Sequence, residues 1–265
     1  MNIGFIGGGA LTGALVKGIA GKTMDPSAIY VSDHKESRCE ELQRGYGVTA
    51  TIGADSFVGK VDALILAIKP KDAAAAMEEI APKVRQDTLI VSVVAGKKLE
   101  DIEAHFPGNP VIRVMPNVPQ SVGEGMAAYA IGSAVSEKDA ATVEEIWASV
   151  GKILRVPESL MDAVTGLSGS GPAFAFLAID ALADGGVAAG LPRKTAILLA
   201  AQTLLGSAKM VLETGLHPDV LRDQVTSPAG TTIAGVRVLE EKGFRSALIE
   251  AVLAATETSR RLGKK

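Results

Sequence analysis

The alternation of short apolar strands with helical segments over residues 1–157 is the feature that most constrains the fold of this chain. Residues 62–68 (DALILAI) are continuously apolar after Asp62, as expected for a strand that is buried on both faces of a sheet. Strand patterns at residues 2–6, 29–32 and 88–94 are each followed by a helical pattern. This alternation predicts an α/β fold, with a doubly wound parallel sheet and right-handed crossover connections.

The chain changes character after residue 157, where the strand signals stop and long helical segments follow. Helices are predicted at residues 172–189, 192–214, 218–224 and 231–259. Several of these segments are apolar on nearly all sides, and a helix of that kind must be buried. A region of about 100 residues cannot bury that much apolar surface within itself, so we expect these helices to form a subunit interface.

Charge and composition argue against several classes of partner. The formal net charge is −3 over 265 residues, and this argues against electrostatic binding to nucleic acid or to an anionic membrane. The single cysteine, Cys39, excludes an internal disulfide, and the three histidines are scattered, so we expect no metal centre. No uninterrupted apolar run reaches the roughly 18 residues of a membrane-spanning helix. We therefore expect a cytoplasmic protein.

Three consecutive glycines, Gly7, Gly8 and Gly9, connect the first strand to the first helix. Gly7 permits a tight turn, Gly9 allows close approach of a pyrophosphate, and the helix N-terminus offers N–H donors. The third position of such a turn is normally Gly or Ala, whereas this chain has Thr12 there, followed by Gly13. Because the turn directly follows the first strand, it favours nucleotide binding over an ordinary turn.

The end of the second strand has two opposed interpretations. Asp33 lies about 20 residues after the glycine turn, where an acidic side chain binds the ribose 2′-hydroxyl of NAD. Ser32, His34, Lys35 and Arg38 would instead suit a 2′-phosphate, which attracts cations and hydroxyl donors. A third interpretation is that Lys35 and Arg38 belong to a solvated helix start, for which Asp33 could be the N-cap residue, and all three remain open.

Other strand ends point to the same rim of the sheet. Residues 67–70, 94–96 and 115–117 each end a predicted strand. Ligands of open α/β sheets bind at the carboxyl ends of the strands, so these segments and the glycine turn describe one binding rim. Residues 227–232 (SPAGTT) precede a helix instead, and they suit either a substrate carboxylate or an ordinary helix cap.

These motifs resemble those of the pyrroline-5-carboxylate reductases, and the resemblance extends over essentially the whole chain. It rests on residues 3–9 (IGFIGGG), 66–70 (LAIKP), 111–119 (VIRVMPNVP), 167–173 (LSGSGPA) and 225–233 (VTSPAGTTI). The last of these segments lies in the signature region of the family and is far more specific than the glycine turn.

The resemblance implies a Rossmann-type dinucleotide-binding domain at residues 1–157, followed by an all-helical substrate-binding and dimerisation domain at residues 158–265. It implies a homodimer, and family members commonly assemble further into decamers. It also implies hydride transfer from NADPH or NADH, with NADPH preferred, to the C=N bond of 1-pyrroline-5-carboxylate. The product is L-proline, and the reaction is the last step of proline biosynthesis.

The same resemblance assigns the site residues. The cofactor would contact Ile6, Gly7, Gly8, Gly9, Ala10, Leu11, Ser32, His34, Lys35, Ala67, Ile68, Lys69, Pro70, Val94, Ala95 and Gly96. The substrate would contact Asn117, Ser227, Gly230, Thr231 and Thr232. The hydroxyl of Thr232 would lie near the imine nitrogen and would be the catalytic group.

The chain departs from the family pattern at several positions. Ala10-Leu11 stands where Asn-Met is usual, Asp33-His34 where Asn-Arg is frequent, Ala54 where Asn is common, and Ala229 where Gly is usual. Two alternatives therefore stay open. One is a related cyclic-imine or β-hydroxyacid reductase, for which Lys194 is the nearest candidate lysine. The other is a non-catalytic NAD(P)-sensing protein.

Overall fold

The computed structural model describes residues 1–263, and the chain forms two compact units. The first unit contains residues 1–170 together with the chain from residue 254 onward, and the second contains residues Gly171–Leu253. The second predicted domain, residues 158–265, includes residues 264 and 265, which lie outside the described part of the chain. The two units therefore divide the chain differently from that prediction.

An eight-stranded sheet forms the centre of the first unit. Its strands are β1 (Ile3–Ile6), β2 (Ile29–Asp33), β3 (Thr49–Ile52), β4 (Ala63–Leu66), β5 (Leu89–Ser92), β6 (Val111–Met115), β7 (Gly125–Ile131) and β8 (Gly151–Arg155). Their spatial order is β3-β2-β1-β4-β5-β6-β7-β8. All neighbours pair in parallel except β6 and β7, so the predicted doubly wound sheet is confirmed with one antiparallel pair. That pair is antiparallel because a connection of nine residues is too short for a crossover helix.

Helices cover both faces of this sheet. They are α1 (Ala10–Ile19), α2 (Glu36–Tyr46), α3 (Pro70–Ile80), α4 (Leu99–His105), α5 (Glu137–Ala148) and α6 (Met161–Val164). Alternate residues of β4 enter two separate cores, since Ile65 packs in the cluster that contains Trp147 and Leu64 packs in the cluster that contains Phe106. Burial on both faces explains why this strand is apolar without alternation.

The first unit extends past β8 because α6 packs into its core. The Met161 side chain is fully buried in the same cluster as Leu64 and Phe106. A π-helical turn at Thr165–Gly169 follows α6 and ends at the boundary between the two units. Strand signals end at Arg155, so the boundary that the sequence predicts after residue 157 lies before this packed helical extension.

The second unit is helical, as predicted. Its elements are α7 (Gly171–Ala188), α8 (Arg193–Thr214), α9 (Pro218–Gln224), α10 (Thr231–Glu241) and α11 (Phe244–Leu262), of which the last part belongs to the first unit. Ala183, Ala196 and Ala200 pack α7 against α8. The prediction of one helix over residues 231–259 is wrong, because Gly243 adopts a φ of +73° and separates α10 from α11.

Large apolar side chains of α7 and α8 are exposed in the single chain. Those with more than half of their surface exposed are Phe176, Leu177, Leu182, Leu198, Leu199, Leu205 and Leu212. By length and composition alone, the segments Glu158–Ala188 and Arg193–Thr214 would suffice to cross a membrane, with mean hydropathies of 1.3 and 1.5. Apolar surface of this extent calls for a covering partner.

Candidate functional site: a cleft in the first unit and a loop in the second

A cleft of about 790 Å³ lies at the carboxyl ends of β1, β2 and β4. The residues that line it are Gly7, Gly8, Gly9, Asp33, His34, Lys35, Ser37, Arg38, Glu41, Ala67, Ile68, Lys69, Lys71 and Asp72. From β1 the chain adds β2 and β3 on one side, and it then returns to add β4 on the other side of β1. The strand order therefore reverses beside β1. Ligands of doubly wound sheets bind at such a point.

The glycine turn is shaped for a close approach of backbone to ligand. Gly7 adopts a φ of +102°, and a Cβ at this position would collide with the carbonyl oxygen of Ala67. Gly9 is the exposed N-cap residue of α1, and a Cβ there would meet no atom within 4 Å. No side chain caps this helix, and its N-cap residue lines the cleft, so the first N–H groups and the positive dipole end are available to a ligand there. The turn therefore fits the pyrophosphate of a dinucleotide.

Thr12 fits where a dinucleotide-binding turn normally has Gly or Ala. Its side chain is fully buried, and its hydroxyl donates a hydrogen bond of 2.5 Å to the carbonyl of Gly7. The hydroxyl is hydrogen-bonded within the turn itself, and this bond offsets the free-energy cost of burying a polar group. The departure at residue 12 thus supports the turn and does not disrupt it.

Asp33 holds the glycine turn from the end of β2. Its Oδ2 accepts a hydrogen bond of 2.8 Å from the N–H of Gly8, and its Oδ1 accepts one of 2.9 Å from the N–H of Lys35. The side chain is only 10% exposed. Both carboxylate oxygens are therefore engaged by the backbone, and the bond to Gly8 is the one that the sequence did not indicate.

Arg38 of α2 also contacts the glycine turn. Its guanidinium donates to the carbonyls of Gly8 and Gly9 and pairs with Glu41 at 2.6 Å. It therefore packs against the polypeptide at the cleft wall and is not a solvated residue at a helix start. His34 and Lys35 are exposed at the cleft, as an interaction with a bound phosphate requires.

The structure places the predicted cofactor residues in three groups. Gly7, Gly8, Gly9, His34, Lys35, Ala67, Ile68 and Lys69 line the cleft. The second group is next to these lining residues in the chain: Ile6, Ala10, Leu11, Ser32 and Pro70. Ile6 of β1 and Ser32 of β2 are paired in the sheet, and both are buried. Val94, Ala95 and Gly96 follow β5, and Gly96 lines a neighbouring polar crevice of about 420 Å³.

Four cleft residues were missed: Ser37, Glu41, Lys71 and Asp72. All four lie in the first two turns of α2 or α3, directly after a strand end. The signal that could have found them is their position, since the first turn of each crossover helix faces the same rim as the strand end.

The side chain of Asn117 forms hydrogen bonds with two backbone groups in this structure. Its side-chain oxygen accepts a hydrogen bond of 2.8 Å from the N–H of Met126, and its amide donates one of 3.1 Å to the carbonyl of Ser168. The residue thus ties the start of β7 to the π-helical turn. One amide hydrogen is left for any further contact.

The second unit contains the remaining predicted site residues in one loop. The N–H of Gly230 donates to the carbonyl of Ser227 at 3.1 Å, which closes a turn in front of α10. Ala229 adopts a φ of +56° in this turn, and within residues 1–263 no other residue except glycine has a positive φ. Thr231 and Thr232 begin α10, and no side chain caps it, so the turn gathers hydroxyls beside N–H donors.

Metal binding and β-hydroxyacid reduction each require a particular set of side chains. Within residues 1–263, no three His, Cys, Asp or Glu side chains lie close enough together to hold a metal ion. Lys194, the nearest candidate for a β-hydroxyacid reductase, is exposed in the first turn of α8.

The doubly wound sheet, the uncapped glycine turn and the appended helical unit together define an NAD(P)-binding oxidoreductase. Residues 2–96 match the family described as NADP oxidoreductase, coenzyme F420-dependent. Residues 158–262 match the family described as pyrroline-5-carboxylate reductase dimerisation.

Similar proteins identify the family more closely. The pyrroline-5-carboxylate reductase of Arabidopsis thaliana is 45% identical over 263 residues, which cover 99% of this chain and 95% of the relative. The structure of a pyrroline-5-carboxylate reductase from Coxiella burnetii superimposes with a TM-score of 0.93 at 33% identity, with 98% of each chain covered. That of Plasmodium falciparum pyrroline carboxylate reductase with NADP bound has a TM-score of 0.87 at 30% identity, covering 99% of this chain and 98% of the other. The chain belongs to the pyrroline-5-carboxylate reductase family, which confirms the resemblance.

Proposed function

We propose that this chain reduces 1-pyrroline-5-carboxylate to L-proline with NADPH, as the last step of proline biosynthesis in the cytoplasm. The observation that carries the proposal is the turn before α10, where Ser227, Thr231 and Thr232 surround an uncapped helix N-terminus. N–H donors at a positive dipole end, with hydroxyls beside them, suit a small carboxylate.

The cofactor would occupy the cleft of the first unit, with its pyrophosphate at the N-terminus of α1. The cleft supports NADPH over NADH because His34, Lys35 and Arg38 stand at the end of β2, whereas the carboxylate of Asp33 is engaged by two backbone N–H groups. A 2′-phosphate would gain a charge-assisted hydrogen bond from the exposed Lys35, and the imidazole of His34 offers a further donor. The Plasmodium falciparum relative was solved with NADP bound.

The chain itself would contribute binding, orientation and hydrogen bonds. When bound, the nicotinamide supplies the hydride that reduces the C=N carbon. Ser227, Gly230 and Thr231 would hold the substrate carboxylate, and the hydroxyl of Thr232 would bond the ring nitrogen. A protonated imine is already electrophilic, so no strong protein base is needed. Holding the two reacting carbons in contact contributes roughly 7–11 kcal/mol in well-oriented systems.

Thr232→Ala and Thr232→Ser together test the role of the hydroxyl. A hydrogen bond to a charged partner contributes about 1.5–3 kcal/mol, so we expect Thr232→Ala to lower kcat/KM for the imine by roughly tenfold or more. Thr232→Ser keeps a hydroxyl and should retain most of the activity. The binding of NADPH, measured by nucleotide fluorescence, should be unchanged in both variants. Wild-type kinetics in Thr232→Ala would remove this residue from the mechanism.

Lys35→Ala tests the cofactor preference. Because a lost ion pair affects only the phosphorylated cofactor, kcat/KM with NADPH should fall while kcat/KM with NADH stays constant. The exposed lysine Lys22, which lies outside the cleft, provides the matched control as Lys22→Ala. Equal losses with both cofactors would show that Lys35 does not contact the 2′-phosphate.

We propose that a second copy of the chain covers the apolar faces of α7 and α8, and that dimers assemble further into decamers. The support is the exposure of Leu177, Leu198 and Leu212, in a region that matches the dimerisation family. Burying apolar surface contributes about 25 cal/mol per Å². Light scattering should give at least a dimeric mass in the absence of detergent, and a monomeric mass would contradict the proposal.

A further inference from the structure

The last turn of α11 lies directly against the loop that follows β5. Gly96 of that loop has a φ of +76°, and a Cβ in place of its hydrogen would lie 3.7 Å from the carbonyl carbon and oxygen of Leu262. A Cβ at Gly263 would lie 3.3 Å from the carbonyl oxygen of Gly96. The two stretches of backbone are thus in contact, and only at Gly263 would a Cβ be closer than an ordinary van der Waals contact. This part of α11 belongs to the same compact unit as the loop.

A buried hydrogen bond fixes this last turn to α6. The hydroxyl of Ser259, a residue that is only 8% exposed, donates to Oδ1 of Asp162 at 2.6 Å. That distance is typical of a hydroxyl bonded to a carboxylate, which is among the stronger hydrogen bonds in proteins. The carbonyl of Ser259 accepts from the N–H of Gly263 at 3.1 Å, so the anchored residue also closes the turn that meets Gly96.

The segment that carries Asp162 holds the same loop at its other end. Oε1 of Glu158 accepts a hydrogen bond of 2.6 Å from the N–H of Leu99, where the loop enters α4. The buried Arg113 of β6 contacts the same oxygen at 3.3 Å and fixes Glu158 in turn. Met161, between the two acidic residues, is fully buried in the core. Residues 158–162 thus hold the loop at Leu99 directly and at Gly96 through α11.

We propose that Ser259 and Asp162 are positioning residues for the cofactor: their hydrogen bond holds the end of α11 against Gly96 and thereby sets the conformation of the loop at residues 94–96. The inference rests on the proposed function, in which this loop contacts the nicotinamide cofactor. Neither side chain touches the cofactor in this scheme. Their loss acts through the loop and weakens cofactor binding without changing the binding of the imine.

The test compares Ser259→Ala and Asp162→Ala with two matched variants. Asp162→Asn keeps an oxygen that accepts from the Ser259 hydroxyl, so it should restore the wild-type behaviour. Thr258→Ala removes an exposed hydroxyl from the same helical turn, one that contacts only Arg261 among the described residues, and it should have no effect. All four variants are assayed as full-length protein.

The primary readout is the Kd of NADPH from nucleotide fluorescence, supported by the KM values of NADPH and of the imine. Coupling through a contiguous network commonly changes affinity by a few-fold to tenfold, and we expect a rise of about fivefold in Ser259→Ala and Asp162→Ala. The kcat and the KM of the imine should stay within about twofold of wild type. Amide hydrogen exchange over residues 94–98 should also accelerate in the protein without cofactor.

An unchanged Kd in folded Ser259→Ala, or an equal rise in Thr258→Ala, would overturn the proposal. Failure of both alanine variants to fold, while Thr258→Ala folds, would overturn it as well, because the pair would then hold the whole unit and not the loop. A wild-type protein that binds NADPH but reduces no imine would refute the proposed function alone. The Kd comparison would still decide the positioning role in that case.

Discussion

Asp33 provides the sharpest prediction about stability, because the structure places its carboxylate under the glycine turn. Replacing Asp33 by Ala removes the acceptors of two backbone N–H groups, those of Gly8 and Lys35. Gly8 is buried, so its N–H loses a charge-assisted hydrogen bond that nothing replaces. Lys35 is exposed, and water can take the place of the lost acceptor there.

The magnitude follows from the buried bond. A hydrogen bond to a charged group contributes about 1.5–3 kcal/mol, and the solvated bond adds little, so Asp33→Ala should cost about 2–3 kcal/mol. With a denaturant dependence of about 2 kcal/mol per molar urea, the unfolding midpoint should fall by roughly 1 M. Asp33→Asn keeps one acceptor oxygen and should lose about half as much.

The assay follows urea unfolding through the fluorescence of Trp147, the single tryptophan, which is buried in the core of the first unit. Protein concentration must be held constant, because the stability of an oligomer depends on it. Equal midpoints for wild type and Asp33→Ala, together with a selective loss of NADH binding, would refute the reasoning. The carboxylate would then serve the ribose of the cofactor and not the glycine turn.

Three further predictions concern stability. Ala229→Gly removes the cost of about 1–2 kcal/mol that a Cβ incurs at positive φ, partly offset by the entropy of glycine, so the melting temperature should rise. The pKa of Asp62 is lowered because it accepts from the N–H of Asn2; Asp62→Asn should therefore melt earlier than wild type at pH 7, with the difference vanishing as the pH falls well below about 4. Burial and the hydrogen bond to Glu144 raise the pKa of Tyr129 to about 12, so wild type should lose stability between about pH 10 and 12. Tyr129→Phe should lack this alkaline loss but cost about 1 kcal/mol at pH 7, as urea titrations at both pH values would show.

The central strands were predictable from sequence for a physical reason. β1, β4 and β5 are buried on both faces, so their residues form short continuous apolar runs, each followed by a turn and then by a new helical pattern. The glycine turn was predictable as well, because only glycine tolerates the φ of Gly7 beside the carbonyl of Ala67.

The edges of the sheet were harder to predict. β3 is partly exposed at the edge next to β2, and its sequence TATI has no continuous apolar run. The direction of β7 depends on the length of its connection to β6, which the pattern of each strand does not reveal. The break at Gly243 lies within a helical periodicity that continues on both sides, so periodicity alone cannot detect it.

The site residues divide in the same way. The positions at strand ends follow from the topology, and the structure brings eight of the predicted cofactor residues to one cleft. The roles of Thr12, Asp33 and Asn117 did not follow, because each depends on a side chain that reaches a backbone group distant in sequence or hidden in a turn. Such contacts are set by tertiary packing, on which local sequence carries no information.

The most direct test of the central claim is the loss of reduced-nicotinamide absorbance when the purified protein meets 1-pyrroline-5-carboxylate, with NADPH and NADH compared in parallel. We predict turnover, formation of L-proline in equal amount, and a higher kcat/KM with NADPH. No turnover with either cofactor, in an oligomer that still binds NADPH, would contradict the account.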